Sequence, residues 1–311
     1  MTITSREYRG EEDFERVREL LIESYAITGR IHNWWLDRWE VFRFSARALD
    51  EIADAQSWEK DVRLWEADAG DAQAPRLVGV VNPEDGGDFF LQIHPHYRHI
   101  EEEMLAWAEQ HHQASRPQDA ERWPLDTFLY EHDEERAALL TRWGYENLGH
   151  DGYTRICSLD KPIPKAPLAP GYVVRNVRGQ EDLENRAAVA NNAFGHNRHN
   201  AETVRVLQRA PTYRQDLDLV VVAPDGTFAA YCVVWFGEAN RMGWYEPVGA
   251  HPAHRRRGLT KAMMCEGLRR LQALGATVAH VGCGTGEAAN RLYESVGFTD
   301  FERDFHWRKE F

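Results

Sequence analysis

The segment EPVGAHPAHRRRGLTKAMMCEGL, residues 246–268, decides the fold. Its strand character runs out at Val248, a turn follows with Pro252 and three consecutive arginines, and from Gly258 apolar residues recur at helical spacing. A strand, a basic turn and a helix start are what an anion site requires. The first amides of a helix lack an intrahelical acceptor, and the macrodipole adds partial positive charge where they point. Arg255, Arg256 and Arg257 add formal charge at that end, and Gly258 admits a bulky phosphate to the backbone. The segment therefore predicts a phosphorylated ligand. A Walker loop or a GxGxxG dinucleotide fingerprint would bind one too, but neither pattern follows this strand.

The pattern Val248-x-x-x-Pro252-x-x-Arg255-x-x-Gly258-x-Thr260 resembles the pyrophosphate loop of the GNAT superfamily of acyl-CoA N-acyltransferases, which reads Arg/Gln-x-x-Gly-x-Gly/Ala. Thr260 departs from it, standing where Gly or Ala is usual. Downstream, a strand-like stretch at 277–281 leads to Glu287-Ala288-Ala289-Asn290-Arg291-Leu292-Tyr293-Glu294-Ser295-Val296-Gly297-Phe298, which resembles the helix and Tyr-x-x-x-Gly-Phe ending that closes the GNAT site. The resemblance implies an α/β (α+β) fold: a mixed, mostly antiparallel twisted sheet with helices on both faces and splayed central strands. It also implies acetyl-CoA as acyl donor. The amides from Arg256 to Lys261, Leu259 and Thr260 included, would hold the pyrophosphate, and the backbone of Val248, Gly249 and Ala250 would pair with the pantetheine. Tyr293 would protonate the departing thiolate.

Glu246 lies two residues before Val248, which in a regular strand puts it on the same face. It is a candidate general base for the acceptor's ammonium or an anchor for a cationic substrate. Asn290 is a candidate partner of the pantetheine or a helix cap. Residues 192–200 lie where this family brings substrate-specific loops over the acetyl group, so Phe194 and Asn197 are candidate pocket residues. The alternative is a solvated loop. His196 and His199 have no carboxylate or cysteine at ligand spacing, and no metal is expected.

The chain has 311 residues, a 43% apolar share and 11 tryptophans, enough for two ordinary domains. A formal charge of −13 argues against nucleic acid and weakly favours a cationic acceptor, a small-molecule amine. No apolar run reaches the length of a membrane span, and the N-terminus lacks signal-peptide character, so the expected location is the cytoplasm. Cys157, Cys232, Cys265 and Cys283 are scattered and read as reduced thiols. A monomer or homodimer is expected.

Three stretches recur in order. Arg9-Gly10-Glu11-Glu12-Asp13 returns as Arg178-Gly179-Gln180-Glu181-Asp182, His94-Pro95 as His251-Pro252, and Trp143-Gly144-Tyr145 as Val296-Gly297-Phe298. They predict two tandem copies, 1–160 and 172–311, joined by a proline-rich connector at 161–171. The first copy's loop reads Arg98-His99-Ile100-Glu101-Glu102-Glu103, without glycine and with carboxylates where a phosphate would sit; Leu140 stands in the place of Tyr293. That copy is expected neither to bind CoA nor to catalyse. Its aromatic stretch at 31–39 is expected to pack the core or an inter-domain interface, with direct substrate contact as the alternative.

One competing motif is Val281-Gly282-Cys283-Gly284-Thr285-Gly286, which reads like the glycine loop of an S-adenosylmethionine methyltransferase. Too little chain follows it for the remaining strand and helix units of that fold. The glycines are expected to form a flexible connection. The expected activity is therefore N-acetyl transfer from acetyl-CoA to a primary amine of an antibiotic or metabolite. A non-catalytic CoA-binding or scaffold protein is the alternative.

Overall fold

In the computed structural model the described residues are 2–32, 34–45, 58–68, 70, 74–84 and 87–311. Over these the chain divides into two compact units, bounded as Met1–Trp39 with Glu51–Asp151 and Arg303–Phe311, and as Glu40–Asp50 with Gly152–Glu302. The units are not contiguous in sequence, so their limits differ from 1–160 and 172–311. The physical reason is strand pairing between distant segments. Strand β6 (Glu146–Ser158) contributes its residues from Gly152 onward to the second unit, where they pair antiparallel with β11 (Val278–Gly284). Strand β12 (Asp300–Lys309) contributes Asp304–Lys309 to the first unit, where they pair with β5 (Leu125–Tyr130). In the proline-rich connector, Ile163, Ala166, Leu168 and Ala169 pack on the core of the second unit.

The first unit contains β1 (Ile3–Glu7), α1 (Glu11–Thr28), the start of α2 (Leu36–Phe44) as far as Trp39, β2 (Arg63–Ala67), β3 (Arg76–Asn82), β4 (Phe90–Ile93), α3 (Glu101–Ala114) and α4 (Glu134–Arg142). Its strands β1-β2-β3-β4 form one antiparallel sheet. Trp39, from the aromatic stretch, is buried against Phe14 and donates its Nε1 to the Phe14 carbonyl at 3.2 Å. Asn33 of that stretch lies outside the described residues.

The second unit continues with β7 (Val173–Asn176), α5 (Leu183–Phe194), α6 (Ala201–Leu207), β8 (Asp218–Val222), β9 (Phe228–Gly237), β10 (Met242–Ala250), α7 (Leu259–Ala273) and α8 (Glu287–Val296). Its strands run in the order β6-β11-β10-β9-β8-β7. All pairs are antiparallel except β10 with β11. Alternation along β8 and β9 separates two cores. Leu219, Val221, Ala230, Cys232 and Val234 face α7, with Met263, Met264 and Leu268, whereas Val220 and Tyr231 face α5, with Val189 and Ala190. Helices therefore cover both faces, and the strands read as continuous apolar runs because neither face is wet.

The sequence repeats have the same structure in both units. Arg6 forks onto Asp13, which also accepts from the Arg9 amide at 2.7 Å; Arg175 forks onto Asp182, which accepts from the Arg178 amide at 2.7 Å. His94 and His251 each accept, through Nδ1, an amide two residues on at 3.2 Å. Gly144 and Gly297 have φ of 82° and 119°, a region that glycine enters without a Cβ penalty, and they end α4 and α8 alike. The next amide then returns to Leu140 in one unit and to Tyr293 in the other, both at 3.0 Å.

Candidate active site

Strands β10 and β11 run side by side only from Met242↔Val278 to Tyr245↔Val281. Beyond that point β10 pairs with β9 through Val248, Gly249 and Ala250, and β11 pairs with β6 through Gly282, Cys283 and Gly284. The facing edges part and leave main-chain groups without a strand partner, which an extended ligand can take up. The glycine run 282–284 is thus ladder strand and not a flexible connection.

A bulge between Tyr245 and Val248 changes which way the side chains point. One extra residue on β10 puts both Tyr245 and Val248 against the α7 core, so Glu246 does not share Val248's face. Its carboxylate lies instead with Trp244, whose Nε1 donates to Oε2 at 2.9 Å, and the Glu246 carbonyl accepts from Trp235 Nε1 at 2.7 Å. The i, i+2 rule fails here because it assumes a regular pleat.

At the end of β10 the loop is set up for an anion. Gly258 caps α7 with φ 74°, a conformation suited to glycine, and the space where its Cβ would stand is open for 4 Å. The amides of residues 256–261 have no main-chain acceptor among the described residues, and the first turn of α7 carries no acidic residue. The three arginines divide the work. Arg255 donates to the carbonyls of Ala250 at 3.1 Å and Ala193 at 2.8 Å, and Arg257 to the Tyr172 hydroxyl at 2.8 Å. Both brace the loop. Arg256 is exposed, with φ 62°, and among the described residues neither it nor Lys261 has a side-chain partner. Thr260 and Lys261 are half-buried and Leu259 is buried on the core side. Gly249 serves packing: a Cβ there would meet Tyr231 at 2.7 Å and Ala193 at 2.8 Å.

Tyr293, on α8, is buried in the core against which Val248 and Cys283 pack, and it lies edge-on to Phe298. Burial raises its pKa, and Cys283, Glu246 and Cys232 raise it further, so the phenol holds its proton at neutral pH. That influence also puts Glu246 and Tyr293 within electrostatic range of each other. Asn290 is not available to a ligand. Its Nδ2 donates to the carbonyls of Gly284 at 3.0 Å and Gly286 at 2.8 Å, and its Oδ1 accepts from Arg155 at 2.7 Å and Cys283 at 3.3 Å. With four partners its capacity is filled, and it clamps the loop into α8. Arg155 is the residue that sequence reasoning missed. Buried on β6, it also donates to the Phe298 carbonyl at 3.2 Å and to Glu294 at 2.8 Å, tying both ends of the helix that carries Tyr293. An arginine in an apolar strand is a visible signal, but its partners lie 135 to 143 positions away.

Phe194 ends α5 half-exposed, edge-on to Tyr231 and stacked on His196, and Asn197 is exposed beside it. Asn191 holds this loop, donating to the His199 carbonyl and accepting from its amide. Burial, with Arg186 nearby, pushes His199 down to about 4, so it is neutral at pH 7. Cys157 is pushed up to about 11 by burial, and burial raises Cys232 and Cys265 as well, which makes them poor nucleophiles.

In the first unit the equivalent loop is closed by its own carboxylates. Glu101 is buried and accepts from Arg98 at 2.6 Å and Arg136 at 3.1 Å, while Arg98 also donates to buried Asp133 at 2.6 Å. Glu102 and Glu103 accept from Trp143 and Trp65. A network of opposite charges fills the end where a pyrophosphate would lie.

Residues 187–298 match the family model described as Acetyltransferase (GNAT) family. No curated protein sequence matches the chain. Among solved structures, a GCN5-related N-acetyltransferase from Sphaerobacter thermophilus superposes with TM-score 0.65 at 17% identity, covering 99% of this chain and 95% of that one. A tandem GNAT protein from the clavulanic acid biosynthesis pathway gives 0.68 at 17%, over 99% and 98%. A GNAT-family acetyltransferase from Colwellia psychrerythraea gives 0.59 at 13%, over 99% of both. At such identities the superpositions speak for the fold, and the family match, confined to the second unit, speaks for the chemistry. The second unit thus contains a match to the acetyltransferase (GNAT) family over residues 187–298, and the chain shares the fold of the superposed acetyltransferases.

Proposed function

We propose that the second unit transfers an acetyl group from acetyl-CoA to a primary amine of a small molecule, an antibiotic or a metabolite, by direct attack. The observation that carries this reading is the run of amides at residues 256–261 with no main-chain acceptor among the described residues, at the end of the strand that parts from β11 after Tyr245. Acetyl-CoA supplies the acyl group already activated as a thioester. The loop amides and Arg256 hold its pyrophosphate, and the free edge of β10 holds the pantetheine. Asn290 takes no part in that contact. As the amine nitrogen bonds to the thioester carbon, the carbon–sulfur bond breaks. Glu246 accepts the ammonium proton directly or through water, and Tyr293 passes its phenolic proton to the sulfur. The first unit, a tandem copy with a sealed loop, does not take the donor.

Calorimetric titration of acetyl-CoA into the wild type and a Gly258→Trp variant tests the reading. Binding at one site, lost in the variant, is the expected result, and a panel of amines followed by thiol release then identifies the acceptor. Absence of binding to the wild type would remove the acyl donor from the proposal. Equal binding to the variant would remove the loop.

A further inference from the structure

The first unit keeps an open cavity although its phosphate end is sealed. A single parallel bridge, Asp88↔Asp126, joins the β5 segment to the chain entering β4, after which β4 pairs with β3 and β5 with β12. A cavity of about 490 Å³ lies there, lined among the described residues entirely by the first unit. That volume suits a small organic molecule.

Its chemistry is opposite to that of a pyrophosphate site. The aromatic wall is continuous: Trp34 leans on Phe90 at 5.0 Å between centroids, Phe90 stacks with Phe128 at 6.4 Å, and Phe128 with His306 at 4.7 Å. Buried Gln92 fixes that wall, its Oε1 accepting from the Trp34 amide at 2.7 Å and its Nε2 donating to Asn82 at 2.9 Å. The lining also holds Asp88, Asp126, Asp151, Asp304 and Glu84 against the guanidinium groups of Arg38 and Arg136; Asp126 is forked by Arg308 and Glu84 is paired with Arg38. The chain's own cation already uses the wall: the Arg38 guanidinium lies 4.8 Å from the ring centroids of both Trp34 and Phe90 and is ion-paired with Glu84. Aromatic faces with carboxylates beside them attract a guanidinium or ammonium group, and the apolar ring surface favours an organic cation over a hydrated inorganic one.

We infer that this cavity is a binding site for a small organic cation bearing an ammonium or guanidinium group. The inference does not rest on acyl transfer by the second unit. Its test is calorimetric titration of agmatine into the full chain, with neutral N-butylurea as the control. Two variants alter the cavity, Asp151→Asn at an exposed carboxylate and Phe128→Leu in the wall, and Glu246→Gln alters the second unit. The expected result is saturable binding of agmatine but not of N-butylurea, weakened about tenfold in each cavity variant and unchanged by Glu246→Gln. Melting temperatures of the variants equal to the wild type show that the cavity variants are folded. No saturable binding below about 10 mM, or binding lost with Glu246→Gln and kept in the cavity variants, would overturn the assignment.

Discussion

Burial and the neighbouring Glu246 keep the Tyr293 phenol protonated, the state a general acid must be in before the thiolate leaves. Tyr293→Phe removes the proton and little volume. We expect kcat to fall by about 10²-fold while acetyl-CoA affinity stays within about twofold. Calorimetry beside steady-state rates checks both halves, and unaltered turnover would remove Tyr293 from the proton path. Arg155 acts through other groups. Arg155→Met removes the donor that the Asn290 amide oxygen, the Phe298 carbonyl and Glu294 share, so the melting temperature should drop and kcat should fall more than KM rises. Here sequence reading stopped short for a physical reason. The Tyr-x-x-x-Gly-Phe ending is local and was legible, whereas the duty of Asn290 depends on a partner more than a hundred residues away.

Two helix starts, at α7 and α3, show what an element's first turn decides. Both follow a strand and a His-Pro turn, yet one presents unpaired amides and the other buries a glutamate between two arginines. The charge signs were readable from the residues, since three glutamates at a helix start exclude a phosphate by sign alone. Their consequence for stability was not. Arg98→Met strips Glu101 and Asp133 of a shared partner, and losing one side of a buried ion network costs about 3–5 kcal/mol. Thermal unfolding should report that loss in the first unit, while acetyl-CoA binding to the second unit stays at the wild-type value. The bulge at 246–247 was hidden because a strand's alternation carries no mark of the residue at which the pleat breaks.

At the scale of the whole molecule the pairing of 152–158 with 278–284 and of 304–309 with 125–130 was invisible in the sequence, since it is set by tertiary packing between distant segments. The titration of buried histidines is a second property of the entire chain. Burial, helped in two cases by neighbouring cations, pushes His132 and His199 down to about 4 and His280 to about 3. In the unfolded chain each takes its proton near the ordinary value, about 6.5. Between about pH 6.5 and 4 the unfolded state therefore holds more protons than the folded one, and stability falls as the pH falls through that window. Above it both states are neutral at these positions and the slope from them vanishes. Carboxylates held low by arginines, such as Asp13 and Asp182, add their own loss only at more acidic pH. Melting temperatures at pH 7.5, 6.5, 5.5 and 4.5 should then show little change over the first step and a growing decline over the next two. His280→Phe, which has no proton to gain, should flatten part of that decline. A melting temperature that rises between pH 6.5 and 5.5 would mean that these histidines gain their protons in the folded state, contrary to the burial that surrounds them.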